Sequence, residues 1–192
     1  MTRIYLAGPE VFLPDALEVL EAKKRICAEA GLEGVSPLDA ALGPVMDGTE
    51  EAAQAIFAAN RDAMTSCPFA IANITPFRGV SVDPGTAFEI GFLAASGAVV
   101  FGYTTDPASY RVRVEDHAPN NAAVRAHAHP HFTVEDFGLV ENLMVPLGIA
   151  ESGGTVIEHQ VAEPERRFRD LVAFSNCVAE IARRVDLGDR VG

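Results

Sequence analysis

The sequence predicts an α/β fold in which a doubly wound sheet of five parallel strands carries helices on both faces. Short apolar runs of β-favouring residues alternate with longer segments of helical periodicity, which is typical of parallel sheets. The run near 68–74 is almost entirely apolar, as expected of a strand covered on both faces. The chain has 192 residues, which suits one domain over residues 1–192.

The strands and helices are predicted from where apolar runs begin and end. The five strand segments are 3–7, which stops at Gly8-Pro9, then 32–36, 68–74, 98–103 and 155–158. Helical periodicity predicts helices over 14–30, 50–65, 86–96 and 168–185. In the first helix, Leu13, Leu17, Leu20 and Lys24 share a face with Cys27.

Residues 104–136 interrupt the alternation with proline, asparagine, histidine and charged residues that show no sustained periodicity. A segment of this length within a domain predicts a long loop or lid insertion. It contains His127, His129 and His131, but no carboxylate or thiol follows at a recurring ligand spacing. We therefore expect no metal site there.

The net charge and the lengths of the apolar runs limit the classes of partner and location. With 15 Lys+Arg against 27 Asp+Glu, the formal net charge is −12, which disfavours binding to a nucleic acid polymer. No apolar run approaches the roughly 18 residues that span a bilayer, and no basic leader or cleavable small-residue site opens the chain. We expect a soluble, cytoplasmic protein, and small neutral ligands remain open as partners.

Candidate site residues follow the predicted strands. In open parallel sheets, ligands bind beyond the carboxyl ends of the strands, near the point where the strand order reverses. Those ends are Gly8 to Phe12, Asn73 to Pro84, and the segment from Tyr103 onward. In the second of these, Asp83 can cap a helix whose first residue is Pro84.

Glu89 lies within two turns of that helix start, between Phe88 and Ile90. Its apolar neighbours imply partial burial, which is costly for a carboxylate without a role. Thr86, one turn back, could donate to it, and the helix N-terminus favours its charged form. An ionised, oriented carboxylate suits nucleophilic attack on a sugar anomeric carbon. The alternative is that Asp83 is only a cap and Glu89 faces solvent.

Three segments in order resemble the nucleoside 2-deoxyribosyltransferase family, within it the branch typified by the kinetoplastid enzymes. Residues 5–12, YLAGPEVF, are similar to the opening strand and loop of the family. Residues 76–79, PFRG, followed by 83–91, DPGTAFEIG, resemble its catalytic segment. Residues 134–139 and 142–144, VEDFGL and NLM, resemble a late motif. The resemblance implies a flavodoxin-like fold.

The same resemblance implies roles for individual residues. Glu89 matches the nucleophile, Asp83 the carboxylate that binds sugar hydroxyls, and Tyr5 an aromatic residue that orients the nucleophile. Asn60 stands where some relatives carry an aspartate that handles the proton on the departing base, and an amide cannot be a general acid near neutral pH. The other implied substrate-binding residues are Phe12, which packs on the base, Gly8, Arg78, Gly85, and Asn142 and Met144, which reach into the pocket of a neighbouring subunit.

The activity implied is exchange of the nucleobase of 2′-deoxynucleosides through a covalent deoxyribosyl–Glu89 intermediate. It implies no cofactor or metal; the partners are deoxynucleosides, free nucleobases and further copies of the chain, as a homodimer or higher oligomer with shared sites. One alternative is hydrolysis of a nucleoside or nucleotide, but in the loop after the first strand a phosphate would meet Glu10 or Asp15. A second is a non-catalytic nucleoside sensor.

Overall fold

The computed structural model describes residues 1–40, 48–120 and 133–189. The strands of the sheet are β1 (Thr2–Ala7), β2 (Leu32–Val35), β3 (Phe69–Asn73), β4 (Val99–Thr104) and β5 (Val156–Glu158). The helices are α1 (Ala16–Glu29), α2 (Pro37–Ala40), α3 (Glu50–Thr65), α4 (Pro84–Ala95), α5 (Tyr110–Asn120), α6 (Met144–Glu151) and α7 (Val172–Asp189). Short 3₁₀ helices cover Pro9–Phe12 and Pro164–Arg166.

The sheet has the order β2-β1-β3-β4-β5, and every neighbouring pair of strands is parallel. This is the flavodoxin-like order, so the predicted fold class is confirmed. The order reverses between β1 and β3, because the chain moves outward to β2 and then returns across β1 to β3. A crevice at the carboxyl ends of these two strands is therefore the expected ligand site.

The pleat of the strands divides the core into two layers. Tyr5 and Ala7 of β1 pack on the face covered by α3, α4 and α6. Ile4 and Leu6, which alternate with them, pack on the opposite face under α1 and α7. Successive side chains of a strand point to opposite faces, so one short strand supplies both cores. The prediction of helices on both faces is confirmed.

The apolar face predicted for α1 is wrong by one position. Its buried residues are Ala16, Val19, Leu20, Lys23 and Cys27, whereas Leu17 is 62% exposed. The 3.6-residue period places position 23 between 20 and 27 on the inner face, even though its side chain is charged. The buried lysine of this helix is thus Lys23.

Three helices, α2, α5 and α6, were not predicted from the periodicity. The segment 104–136 is not a loop throughout, because its residues 110–120 form α5. The expectation that His127, His129 and His131 hold no metal falls outside the described residues. Helix α6 was missed because it contains Pro146 and Gly148, which have low helix propensity. The closing helix α7 begins at Val172, after a 3₁₀ turn, and Phe168 precedes it.

No helix in the described parts of the chain is long and apolar enough to cross a membrane.

Candidate active site

The predicted nucleophile Glu89 contacts Tyr5 at the switch point of the sheet. Tyr5 is fully buried in β1, and its hydroxyl donates a hydrogen bond of 2.7 Å to Glu89 Oε1. The Glu89 side chain comes from α4 and is partly buried, so the interpretation of a helix residue that faces solvent does not describe it. A strand and a helix 84 residues apart in sequence thus meet at one carboxylate.

Asp83 begins α4 as its N-cap, with Pro84 in the first turn, as the sequence predicts. Its Oδ2 accepts from the Thr86 backbone N–H at 3.0 Å and from the Thr86 hydroxyl at 3.3 Å. The expectation that Thr86 donates to Glu89 is therefore wrong. Side chains in a helix tilt toward its N-terminus, so the hydroxyl of Thr86 reaches the cap rather than the following turn.

Gly85 leaves room for the Asp83 carboxylate. A Cβ at position 85 would lie 3.0 Å from Asp83 Oδ2, closer than ordinary contacts between such atoms. A substrate-binding role was predicted for Gly85. The geometry explains the glycine locally, because a side chain at position 85 would crowd the Asp83 carboxylate.

The pKa of the Glu89 carboxyl is raised from its ordinary value of 4.5 to about 7. Burial is the largest cause, and the negative charges of Asp83 and Glu10 add to it, while the Tyr5 hydrogen bond acts in the opposite direction. The helix N-terminus was predicted to stabilise the charged form of Glu89. This effect is small here, because Glu89 lies beyond the first turn of α4. At neutral pH both protonation states are populated.

Glu10 is part of a buried charged cluster behind the crevice. Its side chain is 1% exposed, and its Oε1 accepts from Asn73 Nδ2 at 2.9 Å and from the Tyr103 hydroxyl at 2.7 Å. The ammonium of Lys23, also 1% exposed, forms a buried ion pair with the same oxygen. We call Glu10, Lys23, Asn73 and Tyr103 the Glu10 cluster. The prediction that Glu10 would face a bound phosphate is wrong, since it points into this cluster.

Gly8, a predicted substrate-binding residue, packs against the Glu10 cluster. A Cβ at this position would lie 2.1 Å from Glu10 Oε2 and 3.0 Å from Asn73 Cβ. No side chain fits in this space. Asp15, the other acid expected to meet a phosphate, accepts two hydrogen bonds of 2.7 Å from Arg169.

The predicted residues Phe12 and Arg78 meet at the edge of the crevice. Phe12 stacks on Phe77 with ring centroids 5.6 Å apart, and Phe12 is 51% exposed. The Arg78 guanidinium lies 4.9 Å from the Phe12 centroid and 4.7 Å from that of Phe77. Arg78 has a φ of 55°, which is uncommon for a residue with a side chain. The loops that follow β1 and β3 are thus joined by an aromatic and cationic stack.

Asn142 and Met144 lie at the start of α6, on the face shared with α3 and α4. Asn142 Nδ2 donates to Glu135 at 2.7 Å, and Asn142 Oδ1 accepts from the Met144 N–H at 3.1 Å. The Met144 side chain is 73% exposed. With Pro84 and Ala87 of α4, both residues line a shallow apolar groove. Within the described residues, neither Asn142 nor Met144 forms a hydrogen bond with Glu89 of the same chain.

Glu141, a residue that sequence reasoning missed, ties the segment before Asn142 to the loop before Asp83. The Glu141 carboxylate accepts from the Ser81 hydroxyl at 2.6 Å, the Val82 N–H at 2.8 Å and the Asn142 N–H at 2.9 Å. Arg113 of α5 lies 3.5 Å from it, and the Arg113 guanidinium also donates to the carbonyl oxygen of Val80 at 2.9 Å. Burial lowers the pKa of Arg113.

Asn60 of α3 carries a buried Oδ1 that has no hydrogen-bond partner among the described residues. Within the described parts of the chain, Asn60 forms no hydrogen bond with the site residues named above. Among the described parts of the chain, no group of three or more histidine, cysteine, aspartate or glutamate side chains is arranged to hold a metal ion.

The model of the nucleoside 2-deoxyribosyltransferase family matches residues 4–144. The chain belongs to this family. The resemblance read from the three sequence motifs is therefore confirmed, and the match includes both acids of α4 as well as Asn142 and Met144. Members of the family act on nucleosides and nucleobases.

Individual relatives agree with the family assignment. An uncharacterized protein of Schizosaccharomyces pombe is 33% identical over 196 residues, which covers 90% of each chain. The structure of a 2-deoxyribosyltransferase from Leishmania mexicana matches with a TM-score of 0.56 and 29% identity, over 76% of this chain and 85% of that one. A conserved protein from Enterococcus faecalis, at 20% identity and a TM-score of 0.54, covers 94% and 98% of the two chains and supports the fold alone.

Proposed function

We propose that this protein exchanges the nucleobase of 2′-deoxynucleosides, with Glu89 as the nucleophile. The observation that supports this most is the Tyr5–Glu89 contact of 2.7 Å at the switch point. It fixes one oxygen of a partly buried carboxylate where the fold binds ligands. A carboxylate held in this way can attack a sugar without losing the rotational freedom of a surface side chain.

In the first half of the reaction, a Glu89 oxygen attacks C1′ of the bound deoxynucleoside. The C1′–O bond forms as the bond between C1′ and the base nitrogen breaks, and the base leaves with that electron pair and takes up a proton. A nitrogen of a second base then attacks C1′ and loses its proton, and the ester bond breaks to return the electron pair to Glu89. Two inversions preserve the β configuration.

Asp83 is suited to bind the sugar. Within the described residues, both hydrogen bonds that its carboxylate accepts go to Oδ2, so Oδ1 can accept from a sugar hydroxyl. The half-exposed ring of Phe12 can pack on the base, and the Arg78 guanidinium above it can donate to the oxygens of the base. Asn60 can hydrogen-bond the base, but its amide supplies no proton.

A transfer assay tests the proposal. We expect a deoxynucleoside to yield a new β-deoxynucleoside only when an acceptor base is present, with ping-pong kinetics. Release of free deoxyribose at the same rate with and without the acceptor would instead identify a hydrolase, in which water resolves the ester. Tight binding with no base release would identify a sensor.

Variants of Glu89 test the role of the nucleophile. Glu89→Gln keeps the shape of the side chain and an oxygen that can accept from Tyr5, yet it removes the nucleophilic charge. We expect this variant to fold, to lose most transfer and to form no deoxyribosyl adduct by mass spectrometry of the protein. Glu29→Gln, an exposed site at the end of α1, is the control. Unchanged transfer in Glu89→Gln would refute the mechanism.

The apolar face formed by α3, α4 and α6 favours a homodimer. Phe57, Phe88, Met144 and Leu147 are 54%, 53%, 73% and 53% exposed on it, which is a large apolar area for a free surface. Covering it with a second copy would also place Asn142 beside the partner. We therefore propose that Asn142 and Met144 complete the site of a neighbouring subunit.

Complementation tests the shared site. Glu89→Gln and Asn142→Ala, each inactive alone, are dissociated, mixed and reassociated. In a twofold dimer that shares its sites, half of the mixed dimers' sites are intact, so transfer should recover to about a quarter of the wild-type rate. No recovery in dimers shown by native mass spectrometry to contain one chain of each variant would place each site within one chain.

A further inference from the structure

The Glu10 cluster has no part in the mechanism above, although Glu10 and Asn73 lie at the carboxyl ends of β1 and β3. Glu10, Lys23 and Tyr103 are each 1% exposed and Asn73 is fully buried. An ion pair this deeply buried is weak evidence for stability, because apolar residues of the same volume often serve as well or better. The cluster therefore calls for a functional explanation.

The hydrogen bonds of the cluster join the two loops that border the crevice. Glu10 lies in the 3₁₀ helix after β1, next to Gly8 and Phe12. It accepts from Asn73, the last residue of β3, whose Oδ1 in turn accepts from the Thr75 N–H at 3.0 Å. From there the chain runs to Asp83. One carboxylate thus sets the course of both loops as they leave the sheet.

The cluster also contributes charge to the crevice. Among the described residues, the groups that act on the Glu89 carboxyl come from three elements: Tyr5 of β1, Asp83 at the start of α4, and Glu10 of the 3₁₀ helix. The negative charge of Glu10 raises the pKa of Glu89.

We propose that Glu10 is a positioning residue for the transfer reaction, because its buried carboxylate ties together the two loops of the crevice and holds a fixed negative charge near the nucleophile. This inference rests on the proposed function. A fixed anion there makes Glu89 a stronger base once ionised and favours the positive charge that develops at C1′ in the transition state. Its effect is exerted through Glu89 and the loops and requires no contact with substrate.

The test removes the charge pair while keeping its shape, in the double variant Glu10→Gln/Lys23→Met. The amide oxygen introduced at position 10 can still accept from Asn73 and Tyr103, and no unpaired charge is left buried. We expect the acidic limb of the pH profile of kcat/KM to move down by about half a unit to one unit, and kcat to fall at high pH with a smaller change in KM. The matched control, Asp15→Asn/Arg169→Met, removes an exposed pair next to the same loop and should leave the limb in place.

A titration of Glu89 by carbon-13 NMR, assigned with Glu89→Gln, separates failure of this inference from failure of the proposed function, because it needs no turnover. The double variant should lower the pKa of Glu89 in parallel with the kinetic limb. An unchanged Glu89 titration in a folded double variant overturns the inference. So does a wild-type Glu89 that titrates near its ordinary value of 4.5, which can be measured even if the variant does not fold.

Tyr103→Phe distinguishes charge from packing. It removes one of the three hydrogen bonds to Glu10 and keeps both charges, so the Glu89 titration should stay in place while kcat falls. If Tyr103→Phe moves the titration as far as the double variant does, the fixed charge is not the cause and the inference is wrong.

Discussion

Replacing Glu89 by glutamine should stabilise the folded protein at alkaline pH, although it abolishes the proposed chemistry. The Glu89 carboxyl has a pKa of about 7 in the folded chain against an ordinary value of 4.5. The folded state therefore binds the proton more tightly than the unfolded state does. The favourable contribution is complete below pH 4.5 and is lost as the pH rises through 7.

The size of the loss follows from the shift. At 1.36 kcal/mol for each pKa unit, the folded state loses about 3 kcal/mol at most between the two pKa values. Glutamine has no proton to lose, so it avoids this penalty. The free energy of unfolding of Glu89→Gln should exceed that of the wild type by up to about 3 kcal/mol at alkaline pH, and this excess should shrink toward acid pH.

Urea unfolding followed by circular dichroism, at fixed protein concentration and a series of pH values, measures the difference between the two proteins. Glu29→Gln, where the carboxylate is exposed, should show no such pH dependence. A Glu89→Gln excess that stays constant from acid to alkaline pH would refute the argument. It would mean that the carboxylate is hydrated in the folded chain and that Asp83 and Glu10 do not act on it.

Three further substitutions test the geometry of the site. Asp83→Asn should keep the helix cap and Asp83→Ala should lose about 1 kcal/mol of stability, while both reduce transfer; urea unfolding and the transfer assay separate the two effects. Gly8→Ala should destabilise the protein by about 1–3 kcal/mol, because its Cβ would meet the Glu10 carboxylate. Gly79→Ala, with open space around its Cβ, should not destabilise it. Equal urea midpoints for the two variants would refute this prediction. Glu141→Gln should cost about 1–3 kcal/mol, because one of the two oxygens that accept from Ser81, Val82 and Asn142 becomes an amide NH2. An unchanged free energy of unfolding would contradict the assigned bonds.

Local patterns in the sequence predicted much of the fold and part of the site. The strand that contains Tyr5 and the helix start at Asp83-Pro84 depend on neighbours within a few residues, and both lie where they were expected. The place of the crevice followed from topology, since parallel strands bring their carboxyl ends to one edge. These features need only short-range rules.

The missed features depend on partners far apart in the chain. Glu141 meets Ser81 across 60 positions, and Glu10 meets Tyr103 across 93, so no spacing in the sequence reveals either contact. One signal was present: Lys23 falls on the inner face of α1 when the 3.6-residue period is followed strictly, and a buried lysine requires a buried acid. The raised pKa of Glu89 was missed because it arises from burial and from two acids that only the fold brings near.

The bonds of Glu141 link the segment before Asp83, the proposed sugar-binding residue, to the apolar face on which we propose that a second subunit packs. One carboxylate holds the Val82 N–H, one residue before the helix cap, and the Asn142 N–H, at the edge of the exposed apolar face. A shift of the segment at Val82 would therefore also displace the segment at Asn142. Under the proposed function, substitutions in residues 140–144 that change base selectivity should therefore also change the affinity for deoxyribose, and the two properties will have to be optimised together.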